Sequence, residues 1–397
     1  MLELTIAGAG TGSFSHLTHE VRDAIAQADV ICASRRFSHM IPEGKKFIEL
    51  KSFAETFDTI ERESGQVLIL VSGDPGIYSL LPVVKKRFPE TNITVLPGIS
   101  SLQVLCARAG ESWNDSVILS GHGRKLNAGR LLNLVERNRL VVLFCDKINS
   151  PSLVCEKLSA LSGVNVVIGE NLGSDSERVL TGEPEDFAAQ TFSELSLMLI
   201  RNSKTYERDN IFPRDREFAR AEGVVMTNES VRSVILGRLG LRKDSVFWDI
   251  GAGTGSISVS AGLIFPECEI HAVECKLDAV NIIAENAKRF HLHNIEIHAG
   301  RALDVIGNLP EPDCVFIGGS GGELSEILEH IRGLDVPVRV VAACVTLETL
   351  SAAYSILREW KAFEAVQTAV SESKPLADAV TLMRAHSPVI ILSGLSK

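Results

Sequence analysis

The stretch "VFWDIGAGTGS", residues 246–256, places a glycine-rich loop directly after a short apolar strand and before a helical segment. Glycines at such a turn let the backbone approach a ligand closely, and the start of the helix favours negative charge. Asp249 lies near the end of the strand, and a second acid, Glu274, ends the next predicted strand in "IHAVE". A carboxylate at that second position can accept hydrogen bonds from both ribose hydroxyls of a nucleoside. The stretch therefore predicts a nucleoside-binding α/β unit.

The same five letters, "GAGTG", also occur at residues 8–12, where no acid ends the preceding strand. Two further turns, "SGDPG" at 72–76 and "PGISS" at 97–101, each follow a predicted strand. Glycine-rich turns at the carboxyl ends of parallel strands can line one crevice. We therefore predict a second ligand site in the first half. By itself this loop also fits NADP, with Arg35 or Arg36 facing a 2′-phosphate.

Short apolar strands alternate with helical segments through both halves, which predicts an α/β fold with mostly parallel sheets. The polar stretch from 201 to 223 separates the halves. We predict one domain over residues 1–202 and another over 203–397, joined by a connecting stretch at about 203–222, and we expect each domain to fold separately. The clearest predicted helices cover residues 18–28, 151–161, 276–289, 324–331 and 347–359.

Composition narrows the classes of function. The chain has 397 residues and a formal net charge of −10, which argues against a nucleic-acid partner. Its eight cysteines form no CxxC pair, so we expect a reducing cytoplasm, no disulfides and no zinc site. The "HLHN" stretch at 291–294 lacks a third nearby ligand, and we expect no bound metal. No apolar run is long enough to span a membrane, and the chain starts in a strand without a basic leader.

The series "GAGTG", "SGDPGIY" and "PGISS" resembles the tetrapyrrole methylases over roughly residues 1–200. The later "VVMTNESVR", "DIGAGTG", "HAGRALD", "FIGGSGG" and "SPVIILSG" resemble the decarboxylating methyltransferases of cobalamin biosynthesis. These resemblances imply a two-lobed tetrapyrrole methylase domain followed by a Rossmann-like class I methyltransferase domain. They imply S-adenosylmethionine (SAM) as methyl donor at two sites on unrelated loops.

The resemblances also imply which residues form the two SAM sites. For the first domain they are Gly10, Thr11, Ser72, Gly73, Asp74, Ile77, Ser100, Ser101, Cys145 and Leu172. For the second domain they are Thr227, Asp249, Gly251, Ala252, Gly253, Thr254, Gly255, Glu274, Gly300, Arg301 and Ala302.

The implied activity is methylation of carbons C5 and C15 of a precorrin, with loss of carbon dioxide from its ring C acetate. The sequence gives no catalytic acid or base, because a nucleophilic ring carbon needs mainly correct placement against the methyl group. We expect an oligomeric enzyme, and the resemblance leaves open whether the tetrapyrrole carries cobalt. Two alternatives are an NADP reductase domain fused to a methyltransferase and a non-catalytic SAM sensor. The substrate-facing candidates are His122, Arg232, Gly319, Ser320, Gly321 and Glu323.

Overall fold

The computed structural model describes residues 2–123, 126–377 and 380–397. The chain forms two compact units, one of residues 1–125 with 138–204 and one of residues 126–137 with 205–397. This division differs from a single cut at residue 202 mainly because residues 126–137 belong to the second unit. The predicted domain boundary stays a prediction.

Up to residue 204, the described residues form ten strands and six α-helices. The strands are β1 Leu2–Gly8, β2 Val30–Ala33, β3 Lys46–Glu49, β4 Gly65–Val71, β5 Ile93–Leu96, β6 Val117–Ser120, β7 Leu140–Phe144, β8 Val164–Glu170, β9 Arg178–Gly182 and β10 Ser196–Asn202. The helices are α1 His19–Gln27, α2 Phe53–Ile60, α3 Leu81–Arg87, α4 Ser101–Ala109, α5 Ala128–Arg137 and α6 Pro151–Leu158.

Two five-stranded sheets build the first unit. The first sheet, ordered β3-β2-β4-β1-β5, is wholly parallel. Both of its faces are buried, because Leu68 and Leu70 of β4 pack on the α1 side while Val67 and Ile69 pack on the α2 and α3 side. The second sheet, ordered β6-β7-β10-β8-β9, is mixed, since β6 pairs parallel with β7 and the other neighbouring strands pair antiparallel.

From residue 205 onward, the part of the chain that the structure describes forms nine strands and six α-helices. The strands are β11 Val246–Ile250, β12 Glu269–Glu274, β13 Ile295–Ala299, β14 Cys314–Ile317, β15 Arg339–Cys344, β16 Lys361–Thr368, β17 Ser371–Ala377, β18 Val380–Ala385 and β19 Val389–Leu395. The helices are α7 Glu229–Leu239, α8 Ser256–Ile264, α9 Leu277–Arg289, α10 Ala302–Val305, α11 Leu324–Gly333 and α12 Leu347–Leu357.

The second unit is built on a seven-stranded sheet ordered β13-β12-β11-β14-β15-β19-β16. It is parallel from β13 to β15, and β19 pairs antiparallel with both β15 and β16. Phe247 packs with α7 and α8 on one face, and Trp248 packs with α11 and α12 on the other. This alternation explains why both residues of the "FW" pair are buried.

Helix α5 belongs to the second unit, although its sequence lies inside the first. Asn133 is fully buried there: its amide nitrogen donates to the Pro266 carbonyl at 3.0 Å, and its amide oxygen accepts from the His293 N–H at 2.7 Å. Arg137 donates to the Leu263 carbonyl at 3.1 Å, and Arg130 pairs with Glu267. The second unit is therefore discontinuous in sequence.

The predicted α/β class is confirmed, and all five of the clearest predicted helices are present, within three residues of their predicted ends. Sequence patterns missed β3, β9 and β16–β18. The last of these are exposed strands in which polar and apolar residues do not alternate, so no buried face reveals them. Among the described residues, no helix is long and apolar enough to cross a membrane.

Asp249 is a buried acid within the core of the second unit. One of its carboxylate oxygens accepts from the backbone N–H and the hydroxyl of Ser258, at 3.0 and 2.5 Å, whereas the other is buried and has no partner among the described residues. Burial raises the pKa of this carboxyl to about 6, even though the bonds from Ser258 act in the opposite direction.

We expect Asp249 to make the stability of the second unit pH-dependent. An unfolded aspartate titrates near ~3.9, so the folded protein binds the proton more tightly, and this contribution is lost as the pH rises through about 6. Relative to Asp249→Asn, the wild type should gain up to about 3 kcal/mol of unfolding free energy between pH 7 and pH 4. Urea unfolding at several pH values measures this, with the exposed Asp244→Asn as control. Parallel profiles for wild type and Asp249→Asn would contradict it.

Candidate functional site

Three glycine-rich turns meet at the carboxyl ends of β1, β4 and β5 in the first unit. The Gly73 N–H donates to the Gly10 carbonyl at 2.7 Å, which joins the first turn to the second. A Cβ atom added at Gly8 would lie 2.6 Å from the Gly98 Cα, closer than real Cβ contacts come. These turns can therefore meet only because glycine stands at both positions.

Asp74 ties the second and third turns together. Its Oδ1 accepts from the Gly76 N–H at 2.8 Å, and its Oδ2 accepts from the Gly98 N–H at 3.1 Å. The third turn then enters α4 through Ser100, whose hydroxyl accepts from the Leu102 N–H at 3.3 Å as an N-cap. The carboxylate thus fixes the backbone that surrounds the site.

A cavity of about 500 Å³ opens beside these turns. Nine of the ten cofactor residues predicted for the first domain line this cavity, and Gly10 is the exception. The substrate-facing candidate His122 also lines it. The predicted cofactor residues in the wall are Thr11, Ser72, Gly73, Asp74, Ile77, Ser100, Ser101, Cys145 and Leu172.

Sequence reasoning missed several residues of this wall. Tyr78 has a φ of 45° and donates its hydroxyl to the Ile118 carbonyl at 2.7 Å. Asn171 directly follows β8 and has a φ of 46°. Both Asn171 and Phe144 could have been predicted from their positions, because Asn171 directly follows a buried strand and Phe144 is the last residue of β7. Arg36 lines the same cavity, although from the sequence it was considered only as a ligand of an NADP phosphate.

Cys145 contributes to the cavity wall as a neutral group. It is fully buried, and that burial raises the pKa of its thiol well above the ordinary range. A thiol held in its protonated form is a weak nucleophile. The first cavity is therefore suited to binding and placement rather than to covalent attack by this cysteine.

The second "GAGTG" loop uses its backbone N–H groups inside the protein. Gly251 and Ala252 both donate to the Val273 carbonyl, at 2.9 and 3.2 Å, and Gly255 donates to the Ala252 carbonyl at 2.8 Å. Gly253 donates to Glu274, and Thr254 donates to the Val225 carbonyl. Because all five groups already have acceptors, the loop is poorly suited to gripping a pyrophosphate, which needs free N–H groups.

The glycines of this loop are required by neighbouring protein atoms. A Cβ at Gly251 would lie 2.6 Å from the Gly319 nitrogen, and one at Gly253 would overlap the Val225 carbonyl oxygen. Both residues also have φ values, 69° and 56°, that favour glycine. Backbone conformation and neighbouring protein atoms are therefore enough to require glycine at residue 253. The same is true of Gly10, which has a φ of 61° and lies beside His16.

Glu274 is the acid that faces the second cavity. Its Oε2 accepts from the Gly253 N–H at 2.9 Å and its Oε1 accepts from the Lys276 N–H at 3.0 Å. The side chain is buried, yet it lines a cavity of about 210 Å³. Two backbone donors thus hold the carboxylate in place while it keeps lone pairs for a ligand.

The second cavity brings together residues from four strand ends. Asp249, Thr227, Ala252, Gly253, Thr254 and Gly255 are predicted cofactor residues that do not belong to its wall. Asp249 lies in β11 and Thr227 lies before α7, while the other four belong to the glycine loop, in which Thr254 is buried. The predicted residues that do line it are Gly251, Glu274, Gly300, Arg301, Ala302, Gly319, Ser320, Gly321 and Glu323.

An ion pair stands at the rim of this cavity. The Arg301 Nε donates to Glu323 Oε1 at 3.0 Å, and the Arg301 side chain is 64% exposed. Arg301 follows β13 and Glu323 precedes α11, so the pair links two loops of the rim. Sequence reasoning also missed Val273 and Cys275, which flank Glu274 and line the same cavity.

Arg232, predicted to face substrate, is fully buried instead. It pairs with Asp215 at 2.9 Å and donates to the carbonyls of Thr227 and Pro213 at 2.8 and 2.6 Å. Its guanidinium also lies 4.9 Å from the ring of Phe218. These contacts hold the segment before α7, and they give no support to a substrate-facing role for Arg232 or a cofactor role for Thr227.

The two cavities differ in what they offer a ligand. The first has the volume usual for a small-ligand site and a wall of hydroxyl groups, glycines and apolar side chains. The second is smaller, and its fixed carboxylate suits a ribose. SAM carries no phosphate, which agrees with a glycine loop whose N–H groups are already bonded.

Two family profiles match the chain in sequence. "Tetrapyrrole (Corrin/Porphyrin) Methylases" matches residues 3–188, and "Precorrin methyltransferase domain" matches residues 218–395. The first range contains most of the residues that line the first cavity, and the second range contains all of those that line the second cavity.

Curated relatives agree with both profiles. A precorrin-6Y C(5,15)-methyltransferase [decarboxylating] from Sinorhizobium is 28% identical over 87% of this chain and 85% of its own length. A probable cobalt-precorrin-6B C(15)-methyltransferase (decarboxylating) from Pyrobaculum calidifontis is 38% identical over 45% of this chain and 93% of its own. A solved structure of a precorrin-6Y C5,15-methyltransferase from Geobacter metallireducens is 35% identical, covering 46% of this chain and 95% of that one, with a TM-score of 0.43. The chain therefore belongs to the decarboxylating precorrin-6Y C5,15-methyltransferase family, and it joins a tetrapyrrole methylase domain to a precorrin methyltransferase domain.

Proposed function

We propose that this protein is a bifunctional, SAM-dependent methyltransferase of cobalamin biosynthesis. It methylates C5 and C15 of precorrin-6B and removes carbon dioxide from the ring C acetate, giving precorrin-8. The first cavity serves C5, and the second serves C15 and the decarboxylation. The observation that carries this proposal is that each "GAGTG" loop lies in its own matched domain and borders its own cavity.

Each cavity binds one SAM in this proposal. The bound cofactor supplies an electrophilic methyl group on sulfur. In the first unit, Asp74 and the glycine turns hold the backbone that surrounds it, and the hydroxyls of Ser72, Ser100 and Ser101 are available to bind its polar groups. In the second unit, Glu274 binds the ribose hydroxyls. The match with tetrapyrrole methylases favours SAM over NADP in the first cavity.

Placement of the ring carbon is the main catalytic task. A reduced tetrapyrrole has nucleophilic bridging carbons, so the protein must align one of them with the methyl group and exclude water. In the second cavity Gly319, Ser320 and Gly321 offer a backbone that can receive a substrate carboxylate. Glu323 holds Arg301 beside them, and that cation suits the acidic arms of a precorrin.

We further propose that the enzyme works in the cytoplasm as a homo-oligomer. The thiols agree with a reducing compartment, because all eight cysteines are free and seven of them are buried. The oligomer rests on the sequence resemblance alone.

The reaction itself is tested by mass spectrometry of precorrin-6B incubated with the full-length protein and SAM. The product should have gained two methyl groups and lost one carbon dioxide. Carbon-13 NMR with labelled SAM should place the new methyls on C5 and C15. A product with one methyl, or one that keeps every carboxyl, would contradict the two-site assignment.

Glu274→Ala separates the two sites. It removes a buried carboxylate that ribose hydroxyls would bind, so SAM affinity of the second site should fall by about 1–3 kcal/mol. Calorimetry should still detect one SAM per chain at the first site, and methylation of C15 should slow far more than methylation of C5. Glu285→Ala, at an exposed position on α9, is the matched control. Unchanged SAM binding at both sites would contradict the role of Glu274.

Gly98→Ala tests the first site. The new Cβ would lie 2.6 Å from the Gly8 Cα, so the first and third turns must separate. SAM binding at the first site and methylation of C5 should fall at least about ten-fold, whereas the second site keeps its SAM. Gly333→Ala, where a Cβ meets no atom within 4 Å and φ is not positive, is the control. Full SAM binding by both sites in Gly98→Ala would show that the meeting of the turns is not required.

A further inference from the structure

Two histidines and a glutamate form a cluster on the β12–β13 edge of the second sheet. In the parallel register His271 lies opposite Glu296, and Val273 lies opposite His298. Glu296 and His298 are two residues apart on β13, so their side chains share one face of the sheet. None of the three lines the second cavity. The cluster is therefore outside the proposed methyl-transfer site.

The ligand atoms of this cluster have the spacing of a metal site. His271 Nδ1 lies 3.0 Å from His298 Nε2 and 3.7 Å from Glu296 Oε2, and His298 Nε2 lies 3.8 Å from Glu296 Oε1. Ligands bound to a tetrahedral zinc at ~2.0–2.1 Å are roughly 3.3–3.5 Å apart. Shifts of a few tenths of an ångström in the two less buried side chains would bring all three into range.

Neighbouring groups fix the orientation of His271. Its Nε2 lies 3.2 Å from Glu269 Oε1, and a carboxylate can only accept, so this nitrogen carries the proton in the neutral ring. The lone pair is then on Nδ1, which faces His298 and Glu296. Glu269 is held in turn by the Asn127 amide, which donates to its Oε2 at 3.2 Å. An outer carboxylate that fixes a histidine tautomer is typical of protein metal sites.

Burial and access also suit a bound ion. His271 is only 2% exposed and rigidly placed, whereas Glu296 is 68% exposed and leaves an entry path. Two imidazole nitrogens and one carboxylate oxygen form a donor set of intermediate softness that suits Zn²⁺, Co²⁺ and Ni²⁺. We propose that His271, Glu296 and His298 bind one divalent transition-metal ion of this class, with solvent completing its coordination.

Binding there would join the edge strand β13 to its neighbour β12. β13 leads directly into Gly300, Arg301 and Ala302, and β12 ends in Glu274, all of which line the second cavity. The ion would thus stabilise the two strands that carry part of that cavity. The sequence led us to expect no metal. This cluster could not be found there, because its ligands come from two separate strands and share no short motif.

The test is calorimetric titration of the full-length, chelator-treated protein with Zn²⁺. We expect one ion per chain with micromolar or tighter affinity. His298→Ala and Glu296→Gln change the two less buried ligands, which spares the core, and each should weaken binding at least about ten-fold. His330→Ala, a histidine on α11 outside the cluster, should bind like the wild type.

Titration with Co²⁺ gives an independent readout, because its visible absorption reports the ligand geometry. The wild type and His330→Ala should show the intense bands of four-coordinate cobalt, and His298→Ala should lose them. Absence of Zn²⁺ binding by the wild type would overturn the proposal. Equal binding by wild type, His298→Ala and Glu296→Gln would also overturn it, since the ion would then be held elsewhere, for example by His291, His293 and Glu136.

Discussion

Close approach of backbone to backbone at the carboxyl ends of the strands is the constraint on which both cavities depend. In the first unit the turns that contain Gly8 and Gly98 lie so near each other that a single methyl group would force them apart. In the second unit a methyl group at Gly251 would likewise clash with the backbone of Gly319. Because these glycines carry no side chains, the hydrogen bonds beside them are made by peptide groups and by a few carboxylates, chiefly those of Asp74 and Glu274.

The two loops with the same five letters share some hydrogen bonds and differ in others. In the first loop the Ala9 N–H donates to the Val71 carbonyl of β4 and the Gly12 N–H to the Ala9 carbonyl, while the Gly10 carbonyl accepts from Gly73 of the second turn. In the second loop the N–H groups are donors to β12 and to Glu274. What the loops share is a backbone that needs positive φ at alternate residues, and glycine meets that need at the lowest steric cost. Convergence on a conformation explains the repeated letters without a common fold.

Much of the architecture could be predicted because buried strands such as β4 and β11 are short apolar runs followed by glycine. The wall of the first cavity was also accessible, since its residues follow strand ends. Arg232 was not, because an arginine at the start of a helix looks exposed until Phe212, Phe218 and Asp215 are known to enclose it. Nor was the cluster of His271, Glu296 and His298, whose members meet only through strand register.

The place of α5 has a consequence for how the chain is made. Its contacts with Leu263, Pro266 and His293 span 126 to 160 residues, which is a long separation for groups that must find each other during folding. During synthesis this amphipathic helix leaves the ribosome well before any of its partners exists. The second unit can therefore complete its structure only after nearly the whole chain has been translated. A gene cut between the two halves would also leave one product with an unburied helix and the other with the surface that the helix covers.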